Sequence, residues 1–268
     1  MKNVIKNIRQ EIILCGGEVR FNSQVTGICA VDGHITGLQV NETEQIPCDK
    51  VIFAIGHSAR DTFRQLLQDG IPMEPKPFSM GVRIEHKQSM VDCAQYGSAE
   101  LPLPPADYKL VQHLDDETVY TFCMCPGGYV VAAASEEGGI VTNGMSNADR
   151  DGENANAALL VTINPADFPY EGTLGGVKWQ REIEEKAYKV SGSYRAPAQL
   201  VGDFLAGKAS TGEGAVKPTY RPGVHWCELR EILPGKIYHS LKAALPQLDA
   251  NLAGFADPNA VLTAPETG

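Results

Sequence analysis

The stretch VIFAIGHSARD, Val51–Asp61, decides how the first part of the chain folds. Its first four residues are apolar and β-prone, without the alternation of a half-buried strand. This pattern predicts a strand covered on both faces in a parallel sheet. Gly56 ends the run, and His57, Ser58 and Arg60 follow where a helix should begin. In an open α/β sheet the carboxyl end of such a strand opens on a ligand crevice, so these polar residues are the first candidates for a site.

The residues on either side predict a partial α/β unit over residues 1–75. Apolar side chains recur at helical spacing over residues 4–13, and Gly16 follows as a helix stop. Two alternating runs then flank Asp32-Gly33, a strong hairpin turn signal. A second helix is expected over residues 59–69, after the buried strand. The predicted order is therefore helix, hairpin strands, buried strand and helix.

Residues 76–268 differ in composition, with proline and glycine every few residues. Short β-prone runs lie between them: SMGVRIEH, TVYTFCM, YVVAAAS and GIVTNGM. They predict an antiparallel, barrel- or sandwich-like domain. Helical spacing returns in VKWQREIEEKAYKV and in ELREILPGKIYHSLKAALPQL, which Pro234-Gly235 divides. The two regions together predict the α+β class, with a second, β-rich domain that takes the substrate.

The composition is that of an ordinary globular protein, with 268 residues of which 43% are hydrophobic and 21% charged. A net charge of -10 without a basic run disfavours nucleic acid and anionic membranes as partners and favours a small molecule. No stretch has the length and apolar character of a membrane span or the features of a signal peptide, which predicts a cytoplasmic protein.

Seven cysteines are scattered along the chain, and no C-x-x-C pair occurs. Without an export signal they are expected to be reduced thiols, and no metal site is predicted because zinc needs paired ligands at short spacings.

The polar residues after the predicted strand have two interpretations each. His57 is either a proton relay at the crevice or a turn residue. Ser58 is either a ligand contact or the N-cap of the second helix, with Asp61 three residues on. For Arg60 we expect a surface ion pair.

A second candidate site lies in FCMCPGG. Cys123 and Cys125 are two residues apart in a predicted strand, so their side chains should point to the same face. A thiol pair of this kind suits redox chemistry, and buried strand cysteines also serve as small apolar fillers. The Pro126-Gly127-Gly128 turn can bring backbone N–H groups close to a ligand.

Hydrogen-bonding side chains are dense in TNGMSNADRDGENANAALLV. Asn143, Asn154 and Asn156 are candidates for orienting a ligand, and ordinary turn and capping use explains part of the segment. Arg83 and Glu85 alternate in GVRIEH and share a strand face, where a structural ion pair is the favoured interpretation.

The strand end Ala54-Ile55-Gly56 resembles the Ala-Thr-Gly motif that passes beneath the cofactor in two-dinucleotide-fold flavoproteins, with isoleucine in place of threonine. Further segments resemble a family of bacterial FAD-dependent dehydrogenases, in the same order and over essentially the whole chain. They include GHSARDTF, MGVRIEH, PPADYKL, YTFCMCPGGYVVAAASEEGGIVTNGMS, YRAPAQLVGDFL, PTYRPGV and LTAPETG. The resemblance implies a flavoprotein oxidoreductase with FAD as cofactor and an inserted β-rich domain.

The chain departs from that family in lacking the Gly-x-Gly-x-x-Gly turn that holds the FAD pyrophosphate. We therefore expect an internal fragment of the flavoprotein, with residues 1–75 as a partial FAD-binding domain, residues 76–268 as the substrate or insertion domain, and FAD bound by the intact protein. The residues that the resemblance and the local patterns offer for cofactor contact are Ala54, Gly56, His57, Ser58, Pro126, Gly127, Gly128 and Asn143. The catalytic candidates are His57, Cys123 and Cys125.

Three functions remain open from the sequence. The favoured one is a fragment of an FAD-dependent dehydrogenase that transfers hydride through the flavin and is inactive alone. The second is a non-catalytic β-rich module that binds a ligand or partner. The third is a thiol-dependent redox enzyme that uses Cys123 and Cys125. Exposed edge strands of an incomplete sheet would favour a homodimer.

Overall fold

The computed structural model describes residues 2–268, and the chain divides into two compact units between Met73 and Glu74. The two units are described separately. Over the described residues, no helix is both long enough and apolar enough to cross a membrane.

The first unit contains two helices and a three-stranded antiparallel meander. Its elements are α1 (Lys2–Leu14), β1 (Val25–Val31), β2 (His34–Val40), β3 (Glu44–Pro47) and α2 (Arg60–Gln68). The strand order is β1-β2-β3. The predicted hairpin turn is confirmed: Asp32 and Gly33 both have positive φ, 50° and 77°, as a two-residue type I′ connection requires.

The parallel strand predicted at residues 51–54 is wrong. Residues 51–56 have no regular structure, and Ile52 is 92% exposed. A parallel strand forms only beside a neighbouring strand of the same direction. The strands of this unit pair antiparallel with one another instead. Helix α1 is confirmed, and its apolar face is exposed: among the described residues of this helix none is buried.

The second unit holds the larger sheet. Its strands are β4 (Phe78–Lys87), β5 (Val111–His113), β6 (Thr118–Cys125), β7 (Gly128–Ala132), β8 (Thr142–Ser146), β9 (Asn154–Ile163), β10 (Ala196–Leu200), β11 (Val224–Trp226) and β12 (Val261–Glu266). Its helices are α3 (Gln88–Tyr96), α4 (Gly175–Ser191), α5 (Val201–Ala206) and α6 (Gly235–Asn251), with short 3₁₀ turns at Pro165–Asp167 and Leu229–Glu231.

The larger sheet has seven strands in the order β11-β10-β12-β4-β9-β6-β5, and β7 and β8 form a separate hairpin. The pair β10 and β11 is parallel, and the other neighbours are antiparallel. The predicted α+β class is confirmed. The sheet is open, with β11 and β5 at its edges, in place of the barrel- or sandwich-like form expected for this region.

The centre of the sheet is buried on both faces. Nine of the ten residues of β9 are buried, and every residue of β12 is buried. Helix α6 packs on β9, β4, β5 and β6, and α4 packs on β10 and β12. Strands covered in this way carry polar side chains into the interior, where each needs a partner.

Candidate functional site

A polar cluster lies inside the second unit, on one face of the central strands. Arg83 of β4 stands opposite Thr263 of β12 and Ala158 of β9 in the two ladders. Asn156 lies two residues from Ala158 and therefore on the same face as Arg83. The side chains of Arg83 and Asn156 are completely buried. The fold thus places a cation in the middle of its sheet.

The Arg83 guanidinium is held by four groups. Its Nε and Nη2 donate to Asn156 Oδ1 at 3.2 and 2.5 Å, and Nη2 also donates to the carbonyl oxygen of Cys123 at 3.0 Å. Nη2 lies 3.7 Å from Cys125 Sγ, and Nη1 lies 3.7 Å from Glu266 Oε1. Burial raises the pKa of Glu266 to about 7, and the Arg83 charge opposes this rise. Glu266 is therefore a buried counter-ion that titrates near neutral pH.

A bulge in β6 lies directly over Arg83. The pairing of β6 with β9 shifts register between Phe122 and Cys125, and Cys123 has a φ of 46°. A non-glycine residue in this left-handed region costs about 1 kcal/mol or more. The shift turns Cys123 outward, and Phe122 is 63% exposed.

The bulge breaks the alternation on which the shared strand face was predicted, yet the side chains of the two cysteines still contact each other through a side-chain hydrogen bond. Cys123 is exposed and Cys125 is buried, because the extra residue of the bulge breaks the alternation of β6. The Cys125 thiol donates to the carbonyl oxygen of Cys123 at 3.3 Å. Burial raises the pKa of Cys125, and the nearby Arg83 charge opposes this. Both cysteines are free thiols.

The Pro126-Gly127-Gly128 turn is occupied by the protein's own groups. Gly127 has a φ of 50°, its N–H donates to Gln88 Oε1 at 2.8 Å, and its carbonyl accepts from Gly152 at 3.1 Å. A Cβ at Gly127 would lie 1.8 Å from the carbonyl oxygen of Arg150. The glycines are thus needed for contact between two chain segments. This turn does not fit a cradle for FAD.

Asn143 and its neighbour close the cluster from β8. Asn143 Oδ1 accepts from the N–H of Gly144 at 2.7 Å, a local bond. A Cβ at Gly144 would lie 1.9 Å from Arg83 Nη2 and 2.4 Å from Asn156 Oδ1. Gly144, which the sequence did not single out, is the residue that lets β8 approach the guanidinium.

The predicted ion pair between Arg83 and Glu85 is replaced by other partners. Glu85 accepts from the N–H of Thr219 at 3.1 and 3.2 Å and, through a short hydrogen bond, from its hydroxyl. Asn154 Nδ2 donates to Lys217 O at 2.8 Å and lies 3.4 Å from Glu85 Oε1. Burial raises the pKa of Glu85. Arg83 takes Glu266 as its ionic partner, a residue that comes from a strand at the far end of the chain.

The remaining candidates belong to the first unit. Ala54 and Gly56 are exposed, and Gly56 has a φ of 72° with open space where a Cβ would be. Helix α2 begins at Arg60 with Ala59 as its N-cap, so the N-cap predicted at Ser58 is wrong by one residue. His57 and Ser58 are half-buried, and Arg60 is 2% exposed, which rules out a surface ion pair.

Residues 54–58 fit a cofactor better than the Pro126 turn does. The backbone at Gly56 is open to a ligand, and the first N–H groups of α2 follow a few residues later. Among residues 2–268, His, Cys, Asp and Glu side chains form no group of three that could hold a metal ion.

The comparison with known families decides the affiliation. Residues 77–268 match the family described as FAD-dependent protein, C-terminal domain-like. The chain belongs to this FAD-dependent family. A protein of Clostridium beijerinckii described as uncharacterized is 45% identical over 272 residues, which cover 100% of this chain and 51% of the relative. The chain therefore spans about half the length of the relative that it matches.

The match to the FAD-dependent family covers the second unit and not the first. The family match begins one residue before β4 and includes the whole Arg83 cluster, the bulge and the β7–β8 hairpin. Residues 2–73 lie outside it. The cluster therefore lies within the residues that match the family.

Proposed function

We propose that the chain is part of an FAD-dependent oxidoreductase that transfers hydride between a small-molecule substrate and the flavin. In this proposal residues 2–73 contribute to the flavin-binding domain, and residues 74–268 form the domain that faces the substrate. The observation that carries it is the match of residues 77–268 to an FAD-dependent family. When bound, FAD supplies the hydride-accepting N5 atom, and the protein supplies orientation and electrostatics.

The bulge of β6 is the surface that we assign to the substrate. Phe122 and Cys123 are exposed there, and Met145 of β8 is 50% exposed. A Cβ placed at Gly128 would lie 2.8 Å from both Cys125 Cβ and the Met145 carbonyl oxygen, so β8 lies against the bulge. An aromatic ring with two sulfur side chains suits an apolar or planar molecule.

Arg83 positions this surface. Its hydrogen bond to the Cys123 carbonyl holds a residue whose backbone conformation is unfavourable by itself. Glu266 compensates the charge of Arg83, and Asn156 fixes the plane of its guanidinium. A substrate-facing surface supported from a buried ion pair keeps its geometry when the substrate is absent.

A titration of the purified chain with FAD tests the contribution of the first unit. Flavin fluorescence and thermal stability are followed together, with the variants Gly56→Val and Gly70→Val. Gly56 and Gly70 both have positive φ and open space at the Cβ position, so valine introduces a similar backbone strain at either residue. Gly56 precedes α2 and Gly70 follows it, so only Gly56 lies next to the candidate cofactor contacts. Because the chain lacks the turn that holds the pyrophosphate, we expect binding that is weak but saturable, and that Gly56→Val weakens further while Gly70→Val does not. Equal affinity in both variants would remove residues 54–58 from the site.

A further inference from the structure

We propose that Cys123 and Cys125 form a reversible disulfide bond across the β6 bulge. The flavin has no part in this proposal, which concerns the two thiols alone. Both are free in the structure, and their side chains contact each other across the bulge through a side-chain hydrogen bond.

The local geometry meets the first requirement of a disulfide. Two residues separated by one other are at most about 7 Å apart between Cα atoms when the chain is extended, and a bulge shortens that distance. Disulfides span Cα separations of about 4.4 to 6.8 Å. The Cys125 sulfur already lies 3.3 Å from the carbonyl oxygen of Cys123. Because the two side chains already contact each other, the bond can form through a local adjustment at the exposed Cys123.

The surroundings of the two thiols suit two successive steps of disulfide formation: reaction with an oxidant from solution, and attack on the resulting mixed disulfide. Cys123 is exposed and meets an oxidant from solution. Cys125 is buried behind it, 3.7 Å from a guanidinium nitrogen of Arg83. Burial raises the pKa of Cys125 and the Arg83 charge opposes this rise, so Cys123 is the thiol that reacts first and Cys125 is the one that attacks the mixed disulfide afterwards.

Arg83 brings a buried cation next to the Cys125 sulfur. Its Nη1 and the Nδ2 of Asn156 are buried atoms without a hydrogen-bond partner. Both side chains are completely buried, and the Arg83 guanidinium contacts residues 123 and 125 through Nη2. The charge of Nη2 beside the sulfur lowers the free energy of a transient Cys125 thiolate during the exchange.

The reaction with a low-molecular-weight disulfide such as oxidised glutathione is balanced. The Cys123 thiolate attacks one sulfur of glutathione disulfide, forms a mixed disulfide and releases one glutathione. The Cys125 thiolate then attacks the Cys123 sulfur and releases the second glutathione. The two cysteines lose two electrons in total, and the two released thiols take up the two protons.

The test is treatment of the purified chain with oxidised glutathione, followed by alkylation and peptide mass analysis. Cys93, which is exposed on α3, is the reference within the same protein. We expect the peptide with both cysteines to lose the mass of two hydrogens and to resist alkylation, while Cys93 carries glutathione. In Cys125→Ser, Cys123 should keep its glutathione as Cys93 does.

Stable glutathione on Cys123 of the unaltered protein, with Cys125 still open to alkylation after denaturation, would overturn the proposal. So would an unmodified Cys123 under conditions that modify Cys93. The peptide masses and alkylation of the unaltered protein decide the question by themselves, so the proposal remains testable even when Cys125→Ser fails to fold. Reduction of the treated protein with dithiothreitol should restore both thiols, since the bond is reversible.

Discussion

Arg83 of β4 donates a hydrogen bond to the carbonyl oxygen of Cys123 in β6 at 3.0 Å, although β9 lies between these two strands. The long side chain crosses β9 and is fixed there by Asn156. A buried cation therefore supports the exposed bulge from inside the sheet. Stability of the second unit and the shape of its surface depend on the same residue.

Replacement of Arg83 by methionine should be strongly destabilising. The variant leaves the buried Glu266 carboxyl without its counter-ion and the Cys123 carbonyl without a donor. Removal of one partner from a buried ion pair costs about 3 to 5 kcal/mol. Urea unfolding measures the loss, and Lys189→Met is the control, since Lys189 forms an exposed pair with Glu185 and its removal should cost less than about 1 kcal/mol. Equal losses in the two variants would contradict the buried role.

A methyl group at Gly144 should collide with the guanidinium. The added Cβ of Gly144→Ala would lie 1.9 Å from Arg83 Nη2, so the guanidinium must move and its hydrogen bonds to Asn156 and to the Cys123 carbonyl are lost or lengthened. We expect a loss of about 1 to 3 kcal/mol in the free energy of unfolding. Gly212→Ala, which meets nothing within 4 Å, should be nearly neutral in the same assay. A neutral Gly144→Ala would show that β8 does not pack on Arg83.

The titration of Glu266 should appear in the pH dependence of stability. Burial raises its pKa from an ordinary value of 4.5 to about 7, so the folded state holds a proton that the unfolded state has lost. Stability from this group is present below pH 4.5 and is lost as pH rises to about 7. The unfolding free energy of the unaltered protein, compared with Glu266→Gln, should fall by up to about 3 kcal/mol across that window. If the difference in unfolding free energy between the unaltered protein and Glu266→Gln did not change with pH, the raised pKa of Glu266 would be contradicted.

The strain at Cys123 predicts opposite effects for two substitutions. Glycine adopts a φ of 46° without penalty, so Cys123→Gly should leave stability unchanged or raise it by up to about 1 kcal/mol. Valine is branched at Cβ and disfavours this region, so Cys123→Val should lower stability by more than about 1 kcal/mol. Thermal unfolding distinguishes them, and a more stable valine variant would show that the residue is not left-handed in solution.

Much of the local structure follows from the sequence. The Asp32-Gly33 turn, helix α4 and the strands β4, β6, β7 and β8 are encoded by neighbouring residues, and the structure confirms them, whereas β5, β9, β10, β11 and β12 were not predicted. The strand at residues 51–54 was predicted from apolar character, which is insufficient because a parallel strand also needs a partner. The bulge was missed because alternation around Cys123 reads as regular strand, and only a positive φ reveals the extra residue.

The cluster itself was predictable in part. Arg83, Asn156 and the two cysteines were singled out as chemistry-bearing residues, yet their meeting depends on strand order. Glu266 comes next to Arg83 because β12 inserts between β10 and β4, a long-range pairing that local periodicity does not contain. The same holds for Thr219, which takes the place of Arg83 as the partner of Glu85.

The flavin content of the Clostridium beijerinckii relative, purified at its full length and incubated with FAD, tests the central claim most directly. The relative shares 45% identity with the whole of this chain. Our account predicts a yellow protein with about one flavin per chain by absorbance, whose flavin is bleached by a hydride donor and recovers on reoxidation. A well-folded, colourless protein that takes up no FAD would contradict it.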